Sequence, residues 1–239
     1  MKNFILIIVT MFGFGCNLQK NNQEGSTKIQ KLQEDLKAVA DSEERDRTLG
    51  QYALNMMHQT SAGTKLSNPK KQILARSIVR IANDVFNGQD HKKAFVMLLA
   101  IESSFDRMAQ SPTGPKGYTQ VAKAAFMEGM AACGVKDAKE EDVWETDINL
   151  YAGACYFRSL LEKYNNDPYI SIVAYNQGPN SPSIKKYSKN GRLDEIEPLK
   201  YVAKFAFLDR SVTEQQMPNV PAINSLSIKP QSSNISSED

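Results

Sequence analysis

Histidine is almost missing from this 239-residue chain: His58 and His91 are the two, far apart and with no ligand-like cluster around either. The three cysteines, Cys16, Cys133 and Cys155, form no CxxC pair. The usual donors for a structural zinc or a His-based metal site are therefore lacking, no cofactor is expected, and nothing marks a Ser-His-Asp or Cys-His nucleophile. Charge of one sign is lacking too. The 29 basic and 27 acidic residues leave a net charge of +2, which gives no electrostatic footprint for nucleic acid. No run of alternating apolar and polar residues is long enough to build a sheet core. The expectation is an all-α protein of about seven to nine helices, with at most a short hairpin or turn around Gly114 to Tyr118.

What is present begins with an export-like segment. Met1-Lys2-Asn3 is followed by the apolar stretch Phe4 to Phe14, too short to span a bilayer but sufficient for a signal h-region. It ends Gly13-Phe14-Gly15-Cys16. Residues 1–15 are expected to be a signal peptide and residues 16–27, polar and without apolar periodicity, a flexible tether. Residues 28–68 read as a helical amino-terminal extension. In its first part Ile29, Leu32, Leu36 and Val39 recur at helical spacing, fitting a short coiled-coil seam or, the commoner fate, a helix laid on the domain. A second helical stretch covers about Asp46 to Gln59. Residues 69–210 form the main domain, and residues 211–239, rich in Ser, Pro, Asn and Gln, read as a disordered tail.

Within the main domain the apolar run Ala94 to Ile101 ends on Glu102, followed by Ser103, Ser104 and Phe105 and then by Ser111-Pro112-Thr113-Gly114-Pro115-Lys116-Gly117. This is a buried helix that delivers one carboxyl to the edge of a Gly- and Pro-rich turn. Desolvation disfavours a charged carboxylate, so the pKa of Glu102 should rise, which suits a general acid. A second helix, about Asp147 to Tyr164, carries Asn149, Leu150 and the small residues Ala152, Gly153 and Ala154, which permit close approach of another helix. Downstream come Ala174-Tyr175-Asn176-Gln177-Gly178 and Glu197-Pro198-Leu199-Lys200-Tyr201-Val202.

Together these landmarks resemble the transglycosylase SLT domain of bacterial lytic transglycosylases, a family related to goose-type lysozyme. Glu102, Ser103, Phe105, Ala109, Ser111, Gly114, Gly117 and Gln120 match its first motif; Asn149, Leu150 and Gly153 match its second; Ala174-Tyr175-Asn176 and Gly178 match its third. Tyr201 matches a weaker fourth. Pro115, Tyr118-Thr119, Gln177 and Pro198 depart from the usual residues. The resemblance covers roughly Lys70 to Arg210 and implies a lysozyme-like helical fold.

The resemblance also implies a substrate and a set of roles. The substrate is the β-1,4 bond between N-acetylmuramic acid and N-acetylglucosamine in peptidoglycan, cleaved with a 1,6-anhydro product and with Glu102 as acid and then base. Ser111 and Gln120 are expected to line the cleft, Tyr175 to orient Glu102, Asn176 to shape the cleft floor, and Tyr201 to reach the same carboxyl from the other side. Tyr118 is a candidate for stacking on a sugar ring. Asp106 is taken as structural. Readings that compete are a hydrolytic muramidase and a glycan-binding lipoprotein without activity. The segment ending in Cys16 resembles a lipobox, which implies a lipid anchor holding the domain at the periplasmic face of the outer membrane; the alternative is a plain secretory signal with an incidental cysteine, which leaves the protein secreted or periplasmic. In an oxidising compartment Cys133 and Cys155 either pair or stay as buried thiols.

Overall fold

The computed structural model describes residues 21–193 and 195–214; the expected signal segment, Cys16 and residues 215–239 lie outside the described residues. Among the described residues there are eight α-helices and no strand. These are α1 (Asn21–His58), α2 (Asn68–Val85), α3 (Gln89–Glu102), α4 (Lys123–Ala132), α5 (Thr146–Lys163), α6 (Pro168–Gln177), α7 (Pro182–Asn190) and α8 (Ile196–Glu214). Two short 3₁₀ turns, Gly63–Lys65 and Glu140–Trp144, join them. The all-α expectation holds.

Two compact units divide the chain between Arg45 and Asp46. In the first, the described residues are helical, and Leu32, Leu36 and Val39 are all more than half exposed. The two helices expected between Lys28 and Gln59 are one continuous element, because no glycine or proline interrupts Lys28 to Gly50. The second unit takes in the carboxy-terminal part of α1, whose Leu49, Tyr52, Ala53, Met56 and Met57 are buried. Residues 46–58 thus belong with the main domain rather than with an extension.

Helix α5 lies at the middle of this unit and packs against α2, α4 and α6. Its Leu150, Ala152, Ala154, Phe157, Leu160 and Leu161 are almost wholly buried. Each large apolar side chain removed from water contributes on the order of 1.5–3 kcal/mol. Cys155 on α5 is bonded to Cys133 at the end of α4, with the Cα atoms 5.9 Å apart, so the pairing left open by the sequence is present. Helix α3 is buried from Ala94 through Ile101, as an apolar run without a polar face requires. It starts at Gly88, with Asp90 inside the first turn and not at the cap. Helix α6 begins where Asp167 accepts the Tyr169 amide at 2.8 Å, with Pro168 as its first residue.

Candidate active site

Helix α3 stops abruptly after Glu102. Ser103 still donates its backbone N–H to Leu99, but Ser104 (φ 55°) and Phe105 (φ 63°) are both left-handed. For non-glycine residues this costs on the order of 1–2 kcal/mol each. Two anchors hold them there. The Phe105 ring is fully buried, and Ser103 Oγ donates to the Tyr118 carbonyl at 2.7 Å.

The facing loop is closed on itself. Ser111 N–H donates to Pro115 O at 2.9 Å, Gly117 N–H to Ala109 O at 2.9 Å, and Lys116 N–H to Val121 O at 3.2 Å. Gln120, itself left-handed at φ 47°, donates its side-chain amide to Ala109 O at 2.8 Å and Gly117 O at 3.0 Å. Ser111 Oγ lies 2.9 Å from Thr113 Oγ1 within the turn. Gln120 and Ser111 therefore act first as braces of this loop.

Below the loop sits Asn149 of α5, 1 % exposed, with every polar atom used. Its Oδ1 accepts from Thr119 N–H and Thr119 Oγ1, both at 3.0 Å, and its Nδ2 donates to Lys116 O at 3.1 Å and Val143 O at 3.0 Å. A buried amide satisfied in this way fixes geometry, because breaking one bond leaves the others in a dry site. Gly117 lies against that side chain at φ 76°, and a Cβ there would overlap it. A Cβ on Gly153 would overlap Thr119. Both glycines of the motifs are explained by this close approach.

Helices α6 and α8 complete the site. Tyr175, buried between Tyr156 and Phe157, donates its hydroxyl to Thr119 O at 2.8 Å. The group bonded directly to Glu102 is Tyr201 of α8, whose hydroxyl donates to Glu102 Oε1. Asn176 in turn hydrogen-bonds the Tyr201 hydroxyl. Lys204, three residues further along α8, places its Nζ 3.4 Å from Ile101 O, beside the carboxyl. Tyr201 reaches the carboxyl as expected, whereas Tyr175, expected to orient Glu102, bonds the loop beside it instead.

Burial raises the Glu102 pKa from its ordinary 4.5 to about 7, opposed by the Tyr201 hydrogen bond and the Lys204 charge. Burial and the neighbouring carboxylate push both phenols far above their ordinary range, so they stay protonated as donors. Asp106, by contrast, is exposed and accepts the Met108 amide at 2.9 Å, a turn contact away from Glu102. Tyr118 departs from the expectation of a ring open to a sugar. It is 7 % exposed, with its hydroxyl near Arg107 and bonded to Thr146. The position lies under the helix end, where an aliphatic residue is usual, and the ring takes that inward place.

Sequence reasoning named Asn149 only as a landmark and missed the parts played by Thr119 and Lys204. Asn149 at three residues before Ala152, facing a Gly-rich loop, was the available signal for the first. Nothing local marked Lys204, which reaches the site only through the docking of α8.

The family model described as Transglycosylase SLT domain matches residues 85–197, spanning α3, the loop, α5 and α6. Peptidoglycan transglycosylase gp16 of Escherichia phage T7 is 34% identical over 92 residues, which is 37% of this chain and 7% of that protein. The chain therefore spans a small fraction of that relative's length. A solved structure of an inactive mutant of lytic transglycosylase Slt from Pseudomonas aeruginosa is similar at 18% identity and a TM-score of 0.49, over 65% of this chain and 28% of that one. Over residues 85–197, this chain is therefore similar to the transglycosylase SLT domain family.

Proposed function

We propose that the chain is a peptidoglycan lytic transglycosylase that cuts the β-1,4 bond between N-acetylmuramic acid and N-acetylglucosamine. The observation that carries this reading is one partly buried carboxyl, Glu102, at the end of a buried helix, held by the Tyr201 hydroxyl and with its pKa raised by burial to about 7. Protonated Glu102 gives its proton to the glycosidic oxygen as the C1–O bond breaks and positive charge develops at C1. The resulting carboxylate then takes the proton from the muramic C6 hydroxyl while O6 bonds to C1. The acid is regenerated, no water is consumed, and the muramic end is a 1,6-anhydro sugar.

A two-carboxylate hydrolysis needs a second acid across the bond, and Asp106 is occupied at the protein surface. Gln120, Ser111 and Asn176 are assigned to the cleft wall and floor around the sugars. Tyr201, polarised by Asn176, orients the acid and steadies its charged form after the first transfer. The Cys133–Cys155 disulfide supports an exported protein. We assign Cys16 as the lipid-bearing residue that holds the domain at the periplasmic face of the outer membrane. Mass spectrometry of the ends released from purified sacculi tests the chemistry. Anhydro ends are expected, and reducing muramic ends would replace this reading by the hydrolytic one. Fractionation tests the anchor: Cys16→Ala should leave the membrane fraction, and unchanged partitioning would place the anchor elsewhere.

A further inference from the structure

A cavity of about 480 Å³ opens beside the loop, and Glu102 is not among its lining residues. Its floor is Val121, Phe126 and Val143, each nearly fully buried. Its rim carries Lys116, Lys123 and Glu140. The Glu140 carboxylate is engaged by Lys123 at 2.8 Å and, in the longer arm of the same ion-pair cluster, by Lys116 Nζ at 3.9 Å, a distance that leaves the Lys116 ammonium without a hydrogen bond to it. Lys116 Nζ also lies 5.8 Å from the Trp144 ring centroid, a cation–π contact that places the ammonium at the rim of the cavity.

Lys116 is also fixed from behind. Its N–H donates to Val121 O, and its carbonyl accepts from Asn149 Nδ2. An ammonium on a braced backbone, beside a dry apolar floor, loses little freedom when it takes a partner. The matching ligand is a carboxylate attached to a short apolar side chain, with a charge-assisted contact at the rim and burial below.

We propose that this cavity binds the carboxyl-terminal residue of a short peptide, with Lys116 pairing the terminal carboxylate and Val121, Phe126 and Val143 receiving its side chain. Resting on the reading that peptidoglycan is the substrate, the occupant is a peptide stem borne by the glycan strand. The cavity and the glycan site then share one wall. The loop that carries Lys116 is the one tied by Ser103 and Tyr118 to the helix end bearing Glu102.

The test titrates a synthetic stem tetrapeptide ending in D-alanine, and the same peptide as its carboxyl-terminal amide, into the full chain by calorimetry. The free acid should bind and the amide should bind roughly tenfold more weakly, the loss expected for one charge-assisted contact. Lys116→Gln should bring the acid down to the affinity of the amide while leaving thermal unfolding unchanged. Equal affinity for acid and amide, no binding of either at millimolar peptide, or an unchanged affinity in Lys116→Gln would each overturn the proposal. Activity of the parent chain on sacculi, measured in parallel, tests the catalytic reading separately, because the titration does not require turnover.

Discussion

Replacing Glu102 by Gln should remove activity and, at neutral pH, make the protein more stable. The carboxyl holds its proton more tightly in the folded chain, where its pKa is about 7, than at its ordinary 4.5. Below about pH 4.5 both states carry the proton and burial costs nothing in this respect. Between pH 4.5 and 7 the unfolded chain ionises and the folded one resists, so stability falls as pH rises. Above about pH 7 the full penalty applies. The gap corresponds to on the order of 3 kcal/mol. Gln keeps one oxygen for the Tyr201 hydroxyl and carries no charge to desolvate. Against the parent, Glu102→Gln should gain little at pH 4 and on the order of 5–10 °C in melting temperature at pH 8, for a domain of this size. The assay is thermal unfolding of both chains across that range, with lytic activity on sacculi measured at each pH. Activity should fall by at least the roughly hundredfold to ten-thousandfold expected for losing a general acid and base. A stability difference that does not grow with pH would refute the desolvated acid, whatever happened to activity.

Tyr201→Phe removes the donor that favours the carboxylate, which is worth about 1.5–3 kcal/mol, so the basic limb of the pH–rate profile should move up by roughly one to two pH units. Lys204→Met should move the same limb in the same direction by less, and a limb that stays in place in both variants would remove α8 from the electrostatics of the site. Gly153→Ala drives a methyl group into Thr119, which should cost about 1–3 kcal/mol in denaturant unfolding and lower activity with it; a neutral outcome would mean that the loop is not pressed against α5. Reduction of Cys133–Cys155, which closes a segment with a sequence separation of 22, should cost about 3 kcal/mol by the chain-entropy argument, seen as a lower urea midpoint. An unchanged midpoint would place that stability in the packing of α4 on α5.

The parts of the site written in short stretches were legible. An unbroken apolar run ending in Glu102 can only be a helix buried to its last turn, and α3 is that helix. Gly153 could be recognised as a point of close approach, although its partner Thr119 could not, and Gly117 was legible only as part of the turn, not as the place where Asn149 packs. Contacts over long sequence separations were not legible. Spacing alone cannot say which of two tyrosines, Tyr175 or Tyr201, meets a carboxyl, because that depends on where α8 docks. The inward turn of Tyr118 was hidden for a related reason. A tyrosine beside a glycine suits either solvent or core, and the end of α3 beneath it decided.

The hydrogen bond between Tyr201 and Glu102 joins residues 99 positions apart, and this gives the site a history within each molecule. During synthesis α3, the loop and α5 emerge well before α8. Until α8 is in place, the carboxyl lacks both its phenol and its lysine. Helix α8 packs on α3 and α6, and only that final docking brings the phenol and the lysine to the carboxyl. The acid site is thus assembled from the two ends of the unit, and it is complete only when α8 is docked.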